Sequence, residues 1–262
     1  MVLHGSVGCR RLWAAGTFQP SHLQERLNYI GLPWEGNFRL LELEWLEEDH
    51  LLDHYLSQQT AELLANEKVF VYGKSVLIFM QDDQRLDWVL ERLTPFLKQK
   101  RGVCGVSRSF TQLTDIRAAY EQTSAALRLG RRVTALRTLR RLGVESCRHN
   151  ELVFHYQRYA PYHMVEGAAD AGLYSPLLDK LIERDVREHS DNLRVLHEYL
   201  LCERRPTVAA AHLHMHRNNV IYRVGRIEEM LSIALEDADI RRELEVSLLV
   251  LELIRTSYGS EG

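Results

Sequence analysis

The chain has 262 residues, 45% of them hydrophobic and 26% charged, with a formal net charge of −3. That length and apolar content allow one large domain or two to three small ones with packed cores, and they exclude disorder as the default. A near-neutral balance excludes bulk electrostatic attraction to nucleic acid, so any such binding must come from local clustering.

Four cysteines (Cys9, Cys104, Cys147, Cys202) stand far apart without a C-x-x-C. This argues against a disulfide framework and against a zinc site of the usual spacing; a reducing, cytoplasmic setting is expected. The opening MVLHGSVGCRRLWAAG lacks the continuous apolar run of a signal peptide. No apolar run is long enough to suggest a transmembrane helix, so no membrane partner is expected.

FRLLELEWL (38–46) is aromatic and partly alternating, the pattern of a strand. HLLDHYLSQQTAELLA (50–65) has helical spacing. KVFVYGKSVLIFMQ (68–81) reads as two strands around the turn Tyr72-Gly73-Lys74-Ser75, a hairpin signal. RLDWVLERLTPFLKQ (85–99) is helical as far as Thr94, and Pro95 suggests a kink or break. VCGVS (103–107) is a short strand, and 113–132 is a helix with Thr114 or Asp115 as cap. This order implies an α+β sandwich with helices on one face of the sheet.

LRTLRRLG and ELVFHYQRYAPY contain helical pieces, and PLLDKLIERDVREHS (176–190) is a clearer helix. From residue 191 everything is helical: NLRVLHEYLLCER behind a cap at Asp191 or Asn192, TVAAAHL after Pro206 at N1, then MHRNNVIYRVGRIEEML, and a closing amphipathic helix through DADIRRELEVSLLVLELIRTS. The broad apolar face of that last helix (Leu244, Ser247, Leu248, Leu251, Ile254) is expected to complete the helical core, although it could also pair two subunits.

At about 100° per residue, Val220, Val224, Ile227 and Leu231 form one apolar stripe, while Asn218, Tyr222 and Arg226 follow one another on the far side. Ala209, Ala210 and Leu213 precede them, and His214-Met215-His216 is a break of helix-turn-helix length. Arg and Asn suit base readout because they make bidentate contacts to guanine and adenine edges. Between Arg204 and Ile227 there are five arginines and no carboxylate. Two amphipathic helices with a tight turn also occur without DNA, so pattern alone leaves a merely solvated basic face open.

HMHRNNVIYRVGRIEEML resembles the C-terminal helix-turn-helix of PucR/CdaR-type bacterial transcription regulators, whose pattern is close to H-x-H-R-N-T-L-x-Y-R-L-x-R-I-E-E-L-L. His214, His216, Arg217, Asn218, Tyr222, Arg223, Arg226, Ile227, Glu228, Glu229 and Leu231 match it. Asn219 stands where Thr or Ser is usual, which bears on base preference. Residues 22–44, 105–132 and 177–200 resemble other parts of that family. The resemblance implies a degenerate GGDEF-like domain (ferredoxin-like sheet with helices) over 22–132. It also implies a helical connector over 133–190, a helix-turn-helix DNA-binding domain over 191–262, and residues 1–21 as an extension. Family members usually carry a sensor domain ahead of this, so a short member or a truncated form is expected.

A cyclase needs carboxylates for metal and glycines for close phosphate approach. The hairpin at Tyr72–Ser75 has one glycine and no acid at its tip, and Asp82 and Asp83 follow the second strand. An inactive cyclase-like fold is therefore expected, not an enzyme. Base readout is assigned to Arg217, Asn218, Asn219 and Tyr222; phosphate contacts to Thr207, His216, Arg223 and Arg226. Double-stranded DNA is the expected partner and a homodimer or higher homo-oligomer the expected state, because one short recognition helix reads too few base pairs. A small-molecule effector is left open. The alternative is a ligand- or protein-sensing module whose DNA-binding unit is silent in this form. His212, His214 and His216 alternate and would diverge on a helix, so no metal and no cofactor are expected. Arg128, Arg131, Arg132, Arg137, Arg140 and Arg141 read more readily as a solvated face than as an accessory DNA surface.

Overall fold

The computed structural model describes residues 33–45, 50–65, 67–134 and 152–258. These residues fall into two compact units, one within Met1–Arg131 and Glu145–Ala160, the other within Arg132–Val144 and Pro161–Gly262.

The first unit runs β1 (Glu35–Trp45), α1 (His50–Leu63), β2 (Lys68–Tyr72), β3 (Ser75–Met80), α2 (Leu86–Lys100), β4 (Gly102–Val106), β5 (Phe110–Gln112), α3 (Ile116–Thr134) and β6 (Val153–His155). Its sheet is ordered β2-β3-β1-β4-β6, with β5 pairing β1. The first four strands are antiparallel in the ferredoxin-like order; Leu41, for example, lies opposite Ile78 on one side and Val106 on the other. The expected α+β fold is therefore present.

The helices do not all lie on one face. Leu41, Leu43, Ile78 and Val106 pack with Leu56 of α1 and with Val89, Leu93 and Leu97 of α2. Leu40, Leu77 and Phe79, on the alternate face, pack with Ala119, Ile116 and Tyr120 of α3. A strand covered on one side alternates apolar and polar; β1 instead buries Leu40, Leu41 and Leu43 completely because both its faces are covered. At Gly105 a Cβ would lie 2.5 Å from the Thr123 carbonyl oxygen, so this glycine lets α3 rest directly on the sheet.

One further expectation is corrected. α2 continues through Pro95 to Lys100. Pro95 is on the exposed side, where water can take the carbonyl that loses its partner, while Leu93 and Leu97 anchor the helix on either side. ELVFHYQRYAPY holds the expected helical piece from Tyr156, the start of α4 (Tyr156–Asp170), and ahead of it Val153–His155 add a parallel edge strand to β4. LRTLRRLG lies outside the described residues.

The second unit is helical. α5 (Pro176–Glu188) is capped by Ser175, whose Oγ accepts from the Leu177 N–H. α6 (Asn192–Leu201), α7 (Pro206–Leu213), α8 (Arg217–Leu231) and α9 (Ala238–Tyr258) follow. One core holds Leu178 and Leu181 of α5, Leu196 and Leu200 of α6, and Ala209, Ala210 and Leu213 of α7. Val220, Val224, Ile227 and Leu231 of α8 join Leu244, Leu248 and Leu251 of α9 in the same core. No helix among the described residues is long and apolar enough to cross a membrane.

Candidate nucleic-acid interface

α7 and α8 form the helix-turn-helix. The small Ala209 and Ala210 are buried, which lets α8 cross α7 closely. α7 ends with His214 in the left-handed region, φ 54°, and the Met215 N–H donates to the Ala210 carbonyl at 2.9 Å. That is a Schellman-type stop built on a residue with a Cβ. Met215, half-buried, packs onto the helical core. His216 caps α8: its Nδ1 accepts from the Asn218 N–H at 3.2 Å. An accepting Nδ1 leaves the ring proton on Nε2, which makes that nitrogen a donor.

The apolar stripe of α8 faces the core as its spacing implies. Arg217, Asn218, Asn219, Tyr222 and Arg226 are exposed, Tyr222 to 67%. Thr207 is exposed in the first turn of α7. The base-reading candidates thus share the open N-terminal half of one helix, between the phosphate-contact candidates His216 and Arg226, while Thr207 is exposed on the preceding helix.

Arg223 is placed differently. Its side chain is 17% exposed, and Nη2 lies 2.6 Å from Asp191 Oδ1 and donates to Asn192 Oδ1 at 2.9 Å. Asp191 was an expected cap for α6, but it makes no capping bond. The Asp185 carboxylate of α5 caps instead, accepting from the Asn192 and Leu193 N–H groups at 3.0 and 2.8 Å. Asp191 is thereby released to hold Arg223, and Arg223 ties α8 to the start of α6.

The acid-free window is not acid-free in space. Arg204 pairs with Glu236 at 2.7 Å, Arg205 with Glu203 at 3.1 Å, and Arg226 with Glu229 at 3.0 Å. Arg217, the remaining arginine of the five, makes no ion pair among the described residues. In the second basic segment Arg131 pairs with Glu44 at 2.6 Å, as a structural contact would; Arg137, Arg140 and Arg141 lie outside the described residues.

In the first unit, the Tyr72–Ser75 hairpin turns at Gly73, φ +61°. Asp82 caps a short turn through Gln84 N–H, and Asp83 is paired with Arg39. Glu42, on the central strand, is buried and accepts from the hydroxyls of Ser75, Thr123 and Ser124 at 2.7–2.8 Å. Burial raises its pKa above the ordinary carboxylate range, although these three hydrogen bonds oppose the shift.

The PucR C-terminal helix-turn-helix domain family matches residues 192–250, and the GGDEF-like domain family matches residues 15–129. The chain carries both domains of a PucR-type transcription regulator. Both domains of that type stand in the expected order, with α8 as the second helix of the helix-turn-helix. A solved structure, the regulator of polyketide synthase expression from Bifidobacterium adolescentis, is similar at 17% identity over 95% of this chain and 96% of that one, with a TM-score of 0.37. No curated protein matches the chain significantly.

Proposed function

We propose that this regulator binds specific DNA sites through α7 and α8, as a homodimer or higher homo-oligomer in the cytoplasm. The carrying observation is the exposed first half of α8, where Arg217, Asn218, Asn219 and Tyr222 stand together with no core duty. A recognition helix presents such N-terminal residues to base edges in the major groove. Thr207, the Nε2–H of His216, and Arg226 hold phosphates; Arg223 keeps the helix at its angle. Residues 191–262 serve as the DNA-binding domain, with α5 of the connector 133–190 lending Leu178 and Leu181 to its core.

The domain over 22–132 acts without catalysis. The hairpin lacks an acid, Asp82 and Asp83 have structural partners, and the buried Glu42 is occupied by three hydroxyls. Incubation with GTP and magnesium is expected to give no cyclic product; product formation would overturn this.

Salt-titrated binding to genomic fragments around the chain's own locus, against random DNA, tests the main reading. A fragment bound at least about a thousand-fold more tightly than random supports it. The Arg217→Ala and Asn218→Ala variants should each lose about 1–3 kcal/mol on that fragment and little on random DNA. Unchanged preference in both variants would refute the base-reading assignment.

A further inference from the structure

We propose that Glu198, Cys202 and His212 form a binding site for a divalent cation of the zinc class, clamping α6 to α7, the first helix of the helix-turn-helix. Glu198 and Cys202 are one helical turn apart at the end of α6, and His212 reaches them from α7. One ligand atom from each lies within 4.8 Å of the other two.

The distances from His212 fit a shared ion, and its contact with the carboxylate is long for a direct hydrogen bond. His212 Nδ1 is 3.4 Å from Glu198 Oε2 and 3.6 Å from Cys202 Sγ. An N–H to carboxylate hydrogen bond is normally about 2.7–3.2 Å, and one ring nitrogen cannot point well at both partners. With metal–ligand bonds of about 2.0–2.3 Å at tetrahedral angles, the N···O and N···S edges of a zinc site come to about 3.4 and 3.6 Å.

The chemistry also fits. Thiolate, imidazole and carboxylate together suit a borderline cation such as zinc. Glu198 is a carboxylate at 3% side-chain exposure, and a buried charge calls for a partner of opposite sign. Binding the cation displaces the Cys202 thiol proton to solvent, and two negative ligands then balance the two positive charges. Burial and the nearby Glu198 push the Cys202 thiol pKa up when no cation is bound. The His212 side chain, 29% exposed, marks the open side, where water completes the shell. Beyond Cys202, Glu203 and Arg204 both take left-handed backbone, φ 52° and 57°, so the clamp would brace the turn into α7.

The full chain, kept reduced with a phosphine, is titrated with Co2+ and then Zn2+, with no DNA present. Expected are tetrahedral cobalt bands and a thiolate-to-cobalt charge-transfer band, both bleached by zinc, and a zinc-dependent rise in melting temperature. Cys202→Ser abolishes the charge-transfer band, and His212→Gln weakens cobalt binding at least about tenfold. A wild-type spectrum without the charge-transfer band, or a band that survives Cys202→Ser, overturns the proposal. If Cys202→Ser fails to fold, the half-exposed His212→Gln decides: unweakened binding overturns it.

Discussion

Replacing Arg223 by alanine separates a structural from a phosphate-binding arginine. Its guanidinium meets a carboxylate at 2.6 Å and an amide oxygen at 2.9 Å. Charged hydrogen bonds contribute about 1.5–3 kcal/mol when buried, and fully exposed pairs only about 0.2–1. Arg223 is 17% exposed but Asp191 is 44% exposed, so the lower part of the first range applies, discounted for screening: about 1–1.5 kcal/mol. For a domain of roughly 100 residues, each kcal/mol moves the melting point by about 4–8 °C. Arg223→Ala should therefore lower the helical unit's transition by about 4–12 °C. Asp191→Ala should lower it similarly, and the double variant by less than the sum. Arg226→Ala breaks only the exposed pair with Glu229 and should leave stability within about 0.5 kcal/mol. On DNA the pattern reverses. Arg226→Ala should reduce the slope of log affinity against log salt by about 0.9, the share of one phosphate, and Arg223→Ala should leave it unchanged. If Arg223→Ala took a full phosphate from the slope without lowering the melting point, Arg223 would be a phosphate contact and not a tie between α8 and α6.

His214→Gly removes a Cβ from a left-handed residue and should stabilise the unit by about 0.5–1 kcal/mol, read by thermal unfolding; a loss would show that the imidazole has a structural partner. Ala209→Leu pushes a larger side chain into the fully buried α7–α8 crossing and should cost about 1–3 kcal/mol; an unchanged melting point would refute the close crossing. The folded state holds the Glu42 proton more tightly than the unfolded chain does. Stability from this group is thus present at low pH and lost as pH rises from the unfolded carboxylate range through the raised folded value. Glu42→Gln should flatten that part of the stability–pH profile of the first unit, and an unaltered slope in pH-dependent melts would contradict it.

What sequence patterns revealed here was local. The stripe Val220, Val224, Ile227 and Leu231, the Pro206 start and the β2–β3 hairpin each rest on spacing within one element, and each stands as expected. β5 and β6 were not legible because each has three residues, too few for a period, and each exists only as a neighbour of a longer strand. The second helical layer of the sheet was missed because FRLLELEWL alternates just enough to suggest one open face. Glu198, Cys202 and His212 come together only when α6 and α7 fold against each other, a pairing that metal-ligand spacing rules do not describe.

Charge shows most clearly why local reading falls short. An arginine-rich stretch without carboxylates looks like a free basic patch, yet four of its five arginines find acids: Glu236 and Asp191 from other segments, Glu203 and Glu229 from just beyond its ends. These pairs are not equivalent. Arg205–Glu203 and Arg226–Glu229 are solvent-exposed, contribute little to stability, and can exchange their carboxylates for phosphates at small cost. Arg223–Asp191 bridges two helices and is half-buried, so exchanging it would loosen the angle of α8. Asp185 makes this division workable: by capping α6 it leaves Asp191 for Arg223. In the proposed DNA complex, a chain with net charge −3 would therefore offer a positive surface once these exposed carboxylates are exchanged for phosphates. Arg217, which makes no ion pair among the described residues, stands at the first turn of α8, where the proposed base contact would need no such exchange.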